Sequence, residues 1–137
     1  MASASQYLKI MLRLSQDSRI LLVDDNHVVR EMLVDLVGAL GYRADAAGSG
    51  AEALALFDRG QYDVVLTDLV MPGMSGWEVL AAVRQRDPRM PIIILTGTPA
   101  IGDPRAAQPD VTVLRKPVDV TALDATIKRL LAQRLAV

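Results

Sequence analysis

Four short, largely aliphatic runs constrain this chain more than any other feature: Ile20-Leu21-Leu22-Val23, Val64-Val65-Leu66-Thr67, Ile92-Ile93-Ile94-Leu95 and Val111-Thr112-Val113-Leu114. Each is too short for a buried helix and too continuous for a strand with one wet face, so each reads as a strand covered on both sides. Between them apolar residues recur at helical spacing: Val28, Val29, Met32, Leu33, Leu36, Val37 and Leu40, then Ala53, Leu54, Leu56 and Phe57, and finally Leu123, Ile127, Leu130 and Leu131. Tyr42 to Ala46 predicts one further, shorter strand. Alternating strands and helices with short connections predict an α/β fold, a doubly wound five-stranded parallel sheet with helices on both faces. Right-handed crossovers place the C-terminal ends of all the strands on one edge, where such folds bind ligands at the switch in strand order.

Local signals punctuate this pattern. Ser49-Gly50-Ala51-Glu52 and Ser75-Gly76-Trp77-Glu78 read as capping boxes that open helices. Gly41 and Gly60 read as helix stops, and Asp87-Pro88 closes a helix that runs through about Gln85. The last helix is expected from about Val120 to Leu135. Trp77 is expected to half-pack at a helix start, and His27 to lie at the surface or cap a helix. The stretch Gly97 to Asp110 carries Pro99, Gly102, Pro104 and Pro109. Proline inside a helix costs about 3 kcal/mol, so no three-turn helix is expected there and only about Arg105 to Gln108 coils. Residues 1–18 form an N-terminal extension, in which Leu8, Met11, Leu12 and Leu14 fit one short amphipathic helix. Residues 19–137 form the domain proper.

Composition removes several function classes. With no cysteine and a single histidine among 137 residues, disulfides, zinc–thiolate sites, iron–sulfur clusters and a cysteine nucleophile are excluded, and a His-based metal site is disfavoured. A formal net charge of −1 offers no basic footprint for nucleic acid and no polybasic patch for a membrane. No apolar run approaches the roughly 20 residues of a membrane span, and the first residues lack a basic n-region. The expectation is a cytoplasmic protein.

The residues at the expected strand ends are chemically selective. Asp24 and Asp25 follow the first strand, Asp68 ends the third, Thr96 ends the fourth and Lys116 follows the fifth. Three carboxylates on one edge repel, and such a cluster is usually tolerated because a cation sits in it. Oxygen ligands without His or Cys point to Mg²⁺ or a similar hard ion. A hydroxyl and a lysine on the same edge suit phosphoryl oxygens.

These residues lie in Leu22-Val23-Asp24-Asp25-Asn26, Thr67-Asp68-Leu69-Val70-Met71-Pro72-Gly73-Met74-Ser75-Gly76, Leu95-Thr96-Gly97 and Leu114-Arg115-Lys116-Pro117. On these motifs the chain, from about Arg19 to Leu135, resembles the receiver domain of two-component response regulators. The resemblance implies a flavodoxin-like strand order, 2-1-3-4-5. It implies that Asp68 is the nucleophile that becomes an aspartyl phosphate. It implies that Asp25, Asp68 and the main-chain carbonyl of Val70 bind Mg²⁺ directly, with Asp24 binding through a water. Thr96 and Lys116 would each contact a phosphoryl oxygen. The implied donor is a phosphohistidine on a sensor histidine kinase or a histidine phosphotransfer protein, and the implied function is signalling, with no turnover beyond the domain's own phosphorylation and dephosphorylation. The chain is expected to be monomeric or weakly dimeric, and stand-alone or excised from a hybrid kinase. Two departures are expected to matter: the shortened fourth helix, and Val113 where the family has a switch aromatic. Together they predict that phosphorylation orders or shifts 97–110 instead of swinging a ring.

Competing readings exist for the same residues. Asp24 and Asp25 fit helix N-caps. Gly48-Ser49-Gly50-Ala51-Glu52-Ala53 fits a dinucleotide-binding fingerprint, but it follows the second strand instead of the first and leaves Asp24, Asp25, Thr96 and Lys116 without a role. A haloacid-dehalogenase-like phosphatase also uses an aspartate after a strand, but wants a second aspartate where Val70 stands. No P-loop is present.

Overall fold

The computed structural model describes residues 3–98 and 103–135, with backbone alone for 10–16 and 135. The apolar runs form the strands β1 (Arg19–Val23), β3 (Val64–Asp68), β4 (Ile92–Thr96) and β5 (Val111–Arg115), joined by β2 (Arg43–Ala47). They make one sheet in the order β2-β1-β3-β4-β5, with every neighbouring pair parallel. Val23 pairs with Thr67, Asp68 with Leu95 and Thr96 with Arg115, so the strands end level and their terminal residues share one edge.

The helices are α1 (Ala4–Asp17), α2 (His27–Ala39), α3 (Gly50–Arg59), α4 (Gly76–Arg86) and α5 (Val120–Leu135). Alternate residues of the central strands feed two cores. Leu21, Val23, Val65, Ile92 and Ile94 pack with Ala53, Trp77, Val79, Leu80 and Val83 from α3 and α4. Ile20, Leu22, Val64, Leu66, Ile93 and Leu95 pack with Leu33, Val37, Leu123, Ile127 and Leu130 from α2 and α5. Burying each such Leu or Ile side chain is worth about 1.5–3 kcal/mol, which explains why the runs are unbroken. The extension α1 meets α5. Its Tyr7 and Leu8 are exposed, while the side chains of Met11, Leu12 and Leu14 lie outside the described residues.

Several local expectations are corrected. Strand β2 starts one residue later than expected, because the Tyr42 amide donates to Val37 O at the helix exit and its hydroxyl reaches Asp124. Ser75 and Glu78 form the full reciprocal box. Ser49 accepts from the Glu52 amide, but Glu52 Oε2 accepts from Gly48 N instead of closing on Ser49. The more extended Ser49 backbone (φ −154°, against −75° at Ser75) turns its N–H elsewhere. Trp77 is almost fully buried, with 7% exposed, because it joins the core and the Arg105 guanidinium covers its ring at 4.7 Å.

Where a fourth crossover helix was excluded, the described residues hold only a 3₁₀ turn, Pro104–Ala107, capped by the Asp103 side chain. That turn begins one residue before the expected Arg105, because proline's fixed φ suits the first helical position. Pro99 and Gly102 lie outside the described residues.

Candidate functional site

The turn from β1 into α2 carries the first two acids. Asp24 is buried, with its amide on Ala47 O at 3.1 Å. Its Oδ1 accepts from the Asn26 amide at 2.9 Å. Asn26, not either aspartate, caps α2 by accepting from Val29 N. The capping explanation of Asp24 and Asp25 is thereby removed. Asp24 Oδ2 is buried and has no hydrogen-bond partner among the described residues. Asp25 is exposed at the rim.

Asp68 ends β3 beside this turn. Its Oδ1 accepts from the Leu69 amide at 2.9 Å and lies 3.1 Å from Lys116 Nζ. The same ammonium is 3.5 Å from Asp24 Oδ2, close enough for an ion pair but long for a hydrogen bond. Burial works against the Lys116 charge. The Asp68 hydrogen bond and the charges of Asp24 and Asp68 outweigh it, holding the ammonium above the usual lysine pKa. Lys116 is placed by its own amide, which donates to Thr96 O at 2.8 Å, and the Lys116–Pro117 peptide that follows is cis.

One carboxylate oxygen from each of Asp24, Asp25 and Asp68 lies within 4.8 Å of the others. Lys116 is the one cation paired with Asp24 or Asp68 among the described residues. Asp24 Oδ2, which accepts no hydrogen bond, and the two further carboxylates fit a hard divalent cation: the donors are all oxygen, and one ammonium does not balance three carboxylates. In the next loop, Gly76 N occupies Leu69 O at 2.8 Å, while the Val70 carbonyl receives no backbone N–H from the described residues. The Val70 side chain points out to solvent.

Thr96 is brought to the same edge but not into contact with the acids. Its buried hydroxyl donates to Thr98 O at 2.9 Å and accepts from Thr98 N at 3.1 Å. His27 is exposed and lies 3.3 Å from Glu31. Two contacts escaped the sequence reading. Gly76 abuts the Asp68 backbone, and Arg30 Nη1 donates to the Asp24 main-chain oxygen at 2.9 Å. The Gly76 contact is foreshadowed by the small residue closing the Asp68 motif, whereas nothing in the sequence singles out Arg30.

The chain belongs to the response regulator receiver domain family, whose pattern matches residues 20–128. It is 38% identical over 118 residues to the transcriptional regulatory protein GlrR of Escherichia coli K12, covering 85% of this chain and 27% of that protein. It is 32% identical over 115 residues to the sensor histidine kinase RcsC of Salmonella typhi, covering 82% of this chain and 12% of the kinase. The chain thus spans about a quarter or less of these curated relatives. Among solved structures, the response regulator TrrA of Thermotoga maritima, in complex with Mg²⁺ and BeF, is 36% identical with a TM-score of 0.76, covering 82% of this chain and 98% of that one. The fold and family define a receiver domain of two-component signalling. The dinucleotide reading fails on geometry as well. The Gly48 amide, which such a site would turn to the phosphates, is taken by the Glu52 carboxylate.

Proposed function

We propose that Asp68 accepts a phosphoryl group from a phosphohistidine on a sensor histidine kinase or histidine phosphotransfer protein. The observation that carries this reading is Lys116 Nζ, 3.1 Å from Asp68 Oδ1 and 3.5 Å from the buried Asp24 Oδ2, which accepts no hydrogen bond. An Asp68 carboxylate oxygen forms a bond to phosphorus as the phosphorus–nitrogen bond breaks. The electron pair leaves with the imidazole, which takes up a proton. An ionised carboxylate needs no general base, in keeping with a site that contains no histidine.

The chain's own residues divide the work. Asp25, Asp68 and the Val70 carbonyl would hold Mg²⁺, with Asp24 reaching it through a water. Bound there, the ion offsets the charge that gathers as carboxylate meets phosphate. Lys116 follows the phosphoryl oxygens from its place beside Asp68 Oδ1, and Thr96 exchanges its bonds to Thr98 for one to a phosphoryl oxygen. Release of Thr98 then shifts Gly97, Thr98 and the 103–108 segment and alters partner binding. We place this activity in the cytoplasm; no helix among the described residues is long and apolar enough to cross a membrane.

Incubation with Mg²⁺ and acetyl phosphate, read by intact mass, tests the reading. The wild type should gain one phosphoryl mass, lost when chelator precedes the donor. Full labelling of Asp68→Asn, stable to acid, would overturn it.

A further inference from the structure

The peptide plane joining Asp24 to Asp25 fixes how the two carboxylates are aimed relative to each other. Three of Asp24's polar groups hold that turn: its amide on Ala47 O, its Oδ1 under the Asn26 amide, and its carbonyl oxygen, which points at Arg30. Arg30 is on α2, one turn in from the Asn26 cap. Its Nη1 donates to Asp24 O at 2.9 Å and its Nη2 lies 3.2 Å from His27 Nδ1. The guanidinium reaches there by crossing the end of β2 at Gly48. A Cβ on Gly48 would stand 3.0 Å from Arg30 Nη1, the atom that makes the bond. The Gly48 amide is itself held by Glu52 Oε2 at 2.8 Å, so the glycine is fixed beneath the arginine.

We infer that Arg30 is a positioning residue for the Mg²⁺ site. By clamping the 24–25 peptide through the Asp24 carbonyl, it preorganises the Asp24 and Asp25 carboxylates toward Asp68. This rests on the Mg²⁺ reading of Asp24, Asp25 and Asp68 given above. A mere electrostatic bystander acts in the opposite sense. A cation near a cation site repels the ion, so removing its charge would tighten Mg²⁺ binding. A clamp that is lost lets the peptide rotate, and the ordering cost is then met at binding. The sign of the affinity change therefore separates the two roles.

The test is calorimetric titration of Mg²⁺ into the full chain, with Asp25→Asn as the control. Arg30→Met keeps the bulk and loses the donor. Gly48→Ala keeps the charge and crowds Nη1, which must give by a few tenths of an ångström at its bond to the carbonyl. Both are expected to weaken Mg²⁺ binding by roughly three- to tenfold, the factor of one hydrogen bond of ordinary net worth. The double variant is expected to be little worse than either single one, because both remove the same contact. Arg30→Lys should recover part of the loss. Unchanged or tighter binding in Arg30→Met, with Asp25→Asn still abolishing it, would overturn the positioning role and leave the metal site standing. Binding in the wild type that does not depend on Asp25 would remove the site and the inference together.

Discussion

A Cβ on Gly76 would stand 2.5 Å from the carbonyl oxygen of Asp68 and 2.9 Å from the Leu69 Cα. The first residue of α4 is thus pressed against the backbone of the phosphoacceptor candidate, and the Gly76 amide closes the loop by donating to Leu69 O. Since the clashing atoms are main chain, they cannot swing aside. Gly76→Ala is expected to lower stability by about 1–3 kcal/mol through overpacking. It is also expected to slow labelling at Asp68, read together as a melting curve and an initial rate. An alanine variant equal to the wild type in both would refute this packing.

The clustered carboxylates predict a stability response to metal. Mg²⁺ at 100 times its dissociation constant should stabilise the fold by about 2.7 kcal/mol through mass action. Asp25→Ala should lose that response and, relieved of one like charge, should melt no lower than the metal-free wild type. Thermal melts with and without millimolar Mg²⁺ check both statements. A wild type that ignores Mg²⁺ and melts above Asp25→Ala would count against the site.

Lys116 gives the site a pH signature. Its pKa is raised in the fold by its bond to Asp68 and the charges of Asp24 and Asp68, which outweigh burial. A raised folded pKa means that its stabilisation is fully present below the unfolded lysine pKa of about 10.4, and is lost as pH rises through the folded value. Wild type should therefore melt above Lys116→Met near neutrality, and the gap should narrow as pH rises on the alkaline side of about 10.4. A gap that persists unchanged through that alkaline range would show that the ammonium is not what holds these carboxylates.

Legibility followed burial. The strands could be read because Leu21 and Leu22, neighbours in sequence, go to opposite cores, which leaves no polar alternation to hide the run. Asp24, Asp25, Asp68 and Lys116 could be read because each ends or follows such a run, and a parallel sheet brings those ends together. Bonds from unremarkable side chains to the main-chain carbonyls of nearby turns and loops could not. Arg30 reaches the Asp24 carbonyl past Gly48, and Arg84 looks like a surface residue yet donates to Met90 O, Pro88 O and Pro109 O. Trp77 was read as half-packed because the Arg105 that covers it lies in another loop.

The output stretch should respond locally. Thr96 Oγ1 is engaged by the Thr98 amide and carbonyl, and Val113 is β-branched and carries no ring to swing. Hydrogen exchange with and without a beryllofluoride mimic should show changes at Gly97, Thr98 and 103–108, with α5 little altered. A large change confined to α5 would contradict this route.

The central claim is that the phosphoryl group resides on Asp68. After labelling with acetyl phosphate and Mg²⁺, borohydride reduction converts an aspartyl phosphate to homoserine, and peptide mass mapping locates it. The account predicts homoserine at residue 68 alone, absent when donor or metal is omitted. Homoserine at Asp24 or Asp25, or an unreduced phosphate on a hydroxyl residue, would contradict it.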